Sequence, residues 1–205
     1  MARWVIPEPL PVDWPMRTVD SAKITARALA DGRFRQTVEH APLSGVTPPM
    51  CLWYLEQLDR RLSWRGRTVL AYRLWHPRDH ISFTRQGSFG PGDRWHIVEA
   101  FGGDGRFLLD QTFRVTRLGD AGFTMEVRKL GYPVAVVDER WQPTPAGLVW
   151  IVEMTVGGAE PGVRAVTKRV VRHRMGLLQR WRRHNLEEAG SLPHFLPELY
   201  AQESS

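Results

Sequence analysis

The chain has a single cysteine, Cys51, among 205 residues. One thiol rules out an internal disulfide and agrees with a reducing, cytoplasmic setting. Long apolar runs are also missing. Residues 1–19 are charged and rich in proline, and they contain neither the apolar core of a signal peptide nor the ~20 apolar residues of a membrane span. There is no internal repeat and no low-complexity tract. Acidic residues fall slightly short of basic ones, 22 against 28, for a net charge of +6. Much of the excess sits in Lys168, Arg169, Arg172, Arg174, Arg180, Arg182 and Arg183. Most of these lie on the polar side of a helical pattern, and a basic patch alone carries no sequence readout. A solvated helix face is therefore expected, with no nucleic-acid and no membrane partner.

Aromatic residues, by contrast, are plentiful: nine Trp and eight Phe. A chain of this length can bury a sizeable core around a cavity, and that aromatic load suits a pocket for flat apolar molecules. Residues 1–45 read as a Pro-rich segment that wraps the body and includes a short helix at 19–30. Residues 46–205 read as the body itself. Thr47-Pro48-Pro49 marks a helix start, with the helix running over 50–61. The period then turns from helical to alternating. Strands are expected at 68–74, 94–101, 107–117, 123–130, 134–141 and 148–156, with a turn at 76–85. The breaks between the later strands carry Gly, Asp and Pro. Sequential hairpins make an antiparallel meander. A helix over 163–188 follows, with Gly190 near its stop. A sheet and one long helix with an apolar stripe pack most simply when the sheet wraps the helix. The expected fold is thus α+β, of the helix-grip kind, with a cavity between helix and sheet.

That helix carries the most telling pair. His184 and Glu188 are one turn apart, about 5–6 Å at Cβ. They continue a stripe of Val163, Val166, Val170, Leu177 and Trp181. An imidazole and a carboxylate on an apolar stripe are costly to bury unless something binds them, and a metal ion is the usual solution. Glu99 shares a strand face with Trp95, Ile97 and Phe101, so it is the best further carboxylate. The second imidazole would be His76 or His80, in Trp75-His76-Pro77-Arg78-Asp79-His80. Asp79 or Asp93 would orient a ligating histidine. His173 falls near the stripe, as a core histidine or an acid/base.

Tyr72-Arg73-Leu74-Trp75-His76-Pro77-Arg78-Asp79-His80, His96-Ile97-Val98-Glu99 and His184-Asn185-Leu186-Glu187-Glu188, with Leu192-Pro193-His194-Phe195-Leu196-Pro197 behind them, resemble the bacterial 2,4-diacetylphloroglucinol and phloretin hydrolases. The resemblance covers about 48–199. It implies a Bet v 1-like helix-grip fold and a zinc ion held by His80, Glu99, His184 and Glu188. His80 is preferred to His76 because Tyr72 keeps the family's spacing from pocket tyrosine to ligand histidine. The implied activity is hydrolysis of the carbon–carbon bond between an acyl group and a phenolic ring. The partner is then a small aromatic acyl-phenol or polyketide, and a homodimer is compatible with the reading.

The family also places a catalytic histidine on a late strand, whereas this chain has none between His96 and His173. The late strand offers Glu153 instead, with Ile151 and Thr155 on its face. Glu153, Tyr72, His76 and His173 are therefore the candidates for proton transfer. The alternative from another class is a helix-grip binding protein or cyclase for aromatic polyketides.

Overall fold

The structure is a computed structural model that describes residues 4–129, 131–158 and 175–203. Its main feature is an eight-stranded antiparallel sheet in the order β1-β2-β10-β9-β8-β7-β6-β5. The strands are β1 (Ala22–Ala28), β2 (Phe34–His40), β5 (His80–Gln86), β6 (Arg94–Ala100), β7 (Leu108–Gly119), β8 (Gly122–Lys129), β9 (Tyr132–Thr144) and β10 (Gly147–Val156). From β5 to β10 each strand pairs with the next, which is the expected meander. Alternation sets the faces. Trp95, Ile97 and Glu99 on β6, Val137, Glu139 and Trp141 on β9, and Trp150, Val152 and Met154 on β10 are buried.

A helix, α3 (Met175–Ser191), lies across this inner face and shares a cavity with it. Leu178, Leu186 and Ala189 are its buried apolar residues. This is the helix-grip arrangement. The helix runs past Glu188 and Gly190 to Ser191. Residues 163–174 of the expected helix, with Val163, Val166, Val170 and His173, lie outside the described residues. Two further helices, α1 (Pro48–Gln57) and α4 (Leu196–Glu203), pack on each other.

Four local expectations are corrected. Residues 22–28 form β1 rather than a helix, after a single 3-10 turn at Val19–Ser21. Alanine-rich spacing favours a helix there, but pairing with β2 from Ala22↔His40 to Ala28↔Phe34 overrides local propensity. β2 in turn pairs with β10, so the N-terminal 45 residues supply two strands of the sheet. The α1 helix stops at Gln57 instead of 61, because the carbonyls of Leu58 and Arg60 accept from Tyr72 and Ala71. Residues 61–70 form a small hairpin, β3 (Arg61–Trp64) and β4 (Arg67–Leu70). Its turn puts both Arg65 and Gly66 at positive φ, the geometry that matches strand twist.

The strand expected to reach 74 ends at Leu70 and becomes a short helix, α2 (Ala71–Trp75). Helical spacing buries Tyr72 and Trp75 together, and Tyr54 Oη anchors the start by donating to the Ala71 carbonyl at 2.6 Å. The turn that follows is short, and His80 already opens β5.

The residues before β1 pack on the body. Leu10 N–H donates to the Pro77 carbonyl at 3.0 Å, and Trp14 is buried with its indole N–H 3.2 Å from Ser191 Oγ.

Candidate metal centre

Three separate elements deliver the site. His80 and Glu99 are cross-strand partners on β5 and β6, next to a bulge between His80 and Ser82. His184 and Glu188 come from one face of α3. All four side chains are buried. His80 Nε2 lies 3.5 Å from Glu99 Oε1 and 3.5 Å from Glu188 Oε2. His184 Nε2 lies 3.6 Å from Glu99 Oε2 and 3.5 Å from Glu188 Oε2.

Hydrogen bonds at the far side of each ring fix the tautomers. His80 Nδ1 is 2.6 Å from the Tyr72 carbonyl, which can only accept, so Nδ1 holds the proton. Its Nε2 is then a bare lone pair, buried and without a hydrogen-bond partner. The ring is further held by stacking on Tyr72, with centroids 3.8 Å apart. His184 Nδ1 faces Asp79 Oδ2 at 3.2 Å, and this bond likewise leaves Nε2 toward the carboxylates. Asp79 is well placed to orient it: Oδ2 also accepts from Gly102 N–H at 2.9 Å, and Oδ1 accepts from Arg78 Nε at 2.9 Å. Burial works against the Asp79 anion, but the His184 bond and the nearby imidazoles hold its pKa well below the usual carboxylate range.

The carboxylates are oriented too. Tyr72 Oη donates to Glu99 Oε1. Burial, followed by the Glu99 charge, pushes the Tyr72 phenol well above its ordinary pKa, so it stays a donor. Asn185 Nδ2 donates to Glu188 Oε1 at 2.8 Å, and Asn185 Oδ1 meets His40 Nε2 at 3.0 Å.

Two imidazole lone pairs and two carboxylates facing one another repel unless a cation lies among them. Metal-free, the cluster recruits a proton. Burial lowers the His184 pKa, yet Glu99 and Glu188 outweigh it and carry His184 well above its ordinary value. His80, Glu99 and His184 each offer a ligand atom within 4.8 Å of the others, and Glu188 Oε2 lies 3.5 Å from both imidazole Nε2 atoms, a mix of nitrogen and oxygen donors that suits a divalent ion. The donor set fits a divalent ion.

His76 is placed elsewhere. Its Nδ1 accepts from Asp79 N–H at 3.1 Å, so its Nε2 carries a proton toward Glu187 Oε2 at 3.1 Å. Both nitrogens are thus engaged. Burial, then neighbouring His184, lowers its pKa to about 4, so it is neutral. His76, Asp79 and His184 also converge within 4.8 Å. There, however, the Asp79 carboxylate is already taken up by Arg78, Gly102 and His184. Asp93 caps a turn instead, accepting from Ser88 and Phe89 N–H.

Glu153 is not in the cavity. It lies on the outer face of β10, 3.2 Å from Arg35 Nε and 4.0 Å from an Arg140 nitrogen. The alternation of β10 puts Leu148, Trp150, Val152 and Met154 inward, which turns Glu153 out. His173 lies outside the described residues.

Above the cluster is a cavity of about 60 Å³. Apolar walls include Trp95, Phe113, Phe123, Met125 and Trp181, and its polar groups include Glu99, Glu188 and Glu139. Glu139 was not anticipated. It is buried on β9, and Trp150 Nε1 donates to its Oε2 at 2.7 Å. The signal was present: Val137, Glu139 and Trp141 share one strand face, but Asp138-Glu139-Arg140 looks like a charged, solvent-facing run.

No family model matches the chain, and no curated protein matches it. Among solved structures, it is similar to the KanY protein, at 13% identity and a TM-score of 0.49, over 78% of this chain and 95% of that one. Protein Ms6760 from Mycobacterium smegmatis matches at 13% identity and a TM-score of 0.49, over 83% of this chain and 97% of that one. Ara h 8.0201 matches at 13% identity and a TM-score of 0.39, over 73% and 94%.

Proposed function

We propose that His80, Glu99, His184 and Glu188 hold a zinc ion, and that the protein hydrolyses the carbon–carbon bond between an acyl group and a phenolic ring. The observation behind the reading is the convergence of the bare His80 Nε2, the His184 imidazole and two carboxylates, with nitrogen–oxygen spacings of 3.5–3.6 Å, beside an aromatic-walled cavity. The ion would supply Lewis acidity at the acyl carbonyl or the adjacent ring oxygen. Iron and manganese also accept such nitrogen and oxygen donors, and the choice of zinc rests on the family resemblance.

The residues around the cluster divide the remaining work. Tyr72 and Asn185 fix the carboxylates. Asp79 and the Tyr72 carbonyl fix the imidazoles. The cavity of about 60 Å³ holds about two waters. A phenolic ring therefore enters by displacing wall side chains, and Trp181 and Met125 are only half-buried. The buried single thiol Cys51 suits a cytoplasmic enzyme. Among the described residues no helix is long and apolar enough to cross a membrane.

A second reading is a binding protein or cyclase for aromatic polyketides. It is favoured by the lack of a histidine on β7–β10, where the family has its catalytic one, and by the outward position of Glu153. Incubating the zinc-loaded protein with acylphloroglucinols and acylresorcinols, and following absorbance and released carboxylic acid, separates the two. Cleavage that disappears with chelation and in His184→Ala supports the hydrolase. Tight binding of the phenols without cleavage supports the second reading.

A further inference from the structure

We infer that Glu139 is the proton carrier of the cavity, giving a proton to the ring carbon of a bound acyl-phenol and taking one back from the attacking water. The inference rests on the proposed reaction and adds to it the group that moves the protons.

Glu139 lines the same cavity as Glu99, His184 and Glu188, from β9. One oxygen, Oε2, accepts from the Trp150 indole at 2.7 Å. Oε1 forms no hydrogen bond within the described residues. No cation pairs with it there either. The groups that act on it are Asp138 on its own strand, Glu99 on β6 and Glu188 on α3, all acidic, while the Cys51 thiol of α1 is itself affected by Glu139. Asp138 turns to Arg117 and Thr124. A carboxyl buried with one neutral donor and no cation keeps its proton. Burial is the largest cause of its well-raised pKa, Glu188 the next, and the Trp150 bond opposes them.

The chemistry balances with this one group. A substrate phenolate takes the Glu139 proton at the ring carbon that bears the acyl group, giving a cyclic dienone. Water adds its oxygen to the acyl carbon and returns a proton to the Glu139 carboxylate. The carbon–carbon bond breaks, its electron pair returns to the ring as phenolate, and the acyl group leaves as the carboxylic acid. Charge is minus one on both sides, and Glu139 ends protonated as it began.

The test uses the zinc-loaded protein and Glu139→Gln, which keeps the acceptor for Trp150. Infrared difference spectra at neutral pH read the carbonyl stretch of a protonated carboxyl. The band is expected in the parent and in Glu153→Gln, and is expected to be lost in Glu139→Gln. With a cleavable acyl-phenol, Glu139→Gln is expected to lower kcat by roughly 100-fold or more, with bound zinc unchanged and KM little moved. Glu139→Asp, which keeps an acid, is expected to recover part of the rate. Parental kcat in Glu139→Gln, or no infrared band that depends on Glu139, overturns the inference. If the parent cleaves no acyl-phenol, the proposed reaction falls, and the band alone decides. A shift of the Glu139 band when 4-nitrophenol binds would uphold a proton donor at a phenol site, and an unmoved band would overturn it.

Discussion

Removing the metal is expected to weaken the fold by a calculable amount. The four donors lie on β5, β6 and α3, so the unfolded chain does not bring them together. Binding energy therefore becomes folding energy. With free zinc at about 1,000 times its Kd, linkage gives about 4 kcal/mol. For a chain of about 200 residues each kcal/mol moves Tm by about 2–4 °C. Chelation should thus lower Tm by about 8–16 °C, and added zinc should restore it. Differential scanning calorimetry on dialysed protein, with and without zinc, measures the shift. His184→Ala should melt at one temperature whether zinc is present or not. A parent Tm that zinc leaves in place within about 1 °C would refute the reasoning, because it would mean that these buried donors are satisfied without a cation.

Other outcomes follow from the same geometry. His80→Ala should lose bound metal and His76→Ala should retain it, as measured by metal analysis after gel filtration; the reverse would show that His76, not His80, offers the bare nitrogen. Asp79→Asn should weaken zinc binding by about 10–100-fold, the usual effect of removing a group that orients a ligating histidine, and a competitive chelator titration reads it. Zinc binding should release a proton near neutral pH. His184 has a raised folded pKa, so the stabilisation from its proton is full in acid and is lost as pH rises through that value. Zinc must displace the proton, and affinity should climb with pH. Calorimetric binding heats that do not depend on buffer ionisation enthalpy would contradict this.

The strands from β6 to β10 were legible because glycine-marked turns separate runs with a period of two. The pair His184 and Glu188 was legible because it sits on the helix face that carries Trp181. Other features depend on partners far along the chain. β1 buries no residue and is held by its ladder to β2, so its own composition reads as helix. α2 hides in a short apolar stretch that continues β4 in the sequence, and only the shared burial of Tyr72 and Trp75, three residues apart, reveals helical spacing. The phase of β10 was ambiguous because Val149-Trp150-Ile151-Val152 is apolar throughout. It is set in the fold by the Trp150 indole reaching Glu139, and that phase turns Glu153 outward. The His40–Asn185 contact that steadies Glu188 spans 145 residues, and no local pattern announces it.

The central claim is a divalent ion held by His80, Glu99, His184 and Glu188. X-ray absorption at the zinc edge, on protein loaded and dialysed to constant metal content, tests it most directly. One ion per chain is expected, with a shell of two imidazole nitrogens and carboxylate oxygens at about 2.0–2.2 Å, and no zinc shell in His80→Ala, which loses the ion. No retained ion, or an unchanged shell in His80→Ala, would contradict it.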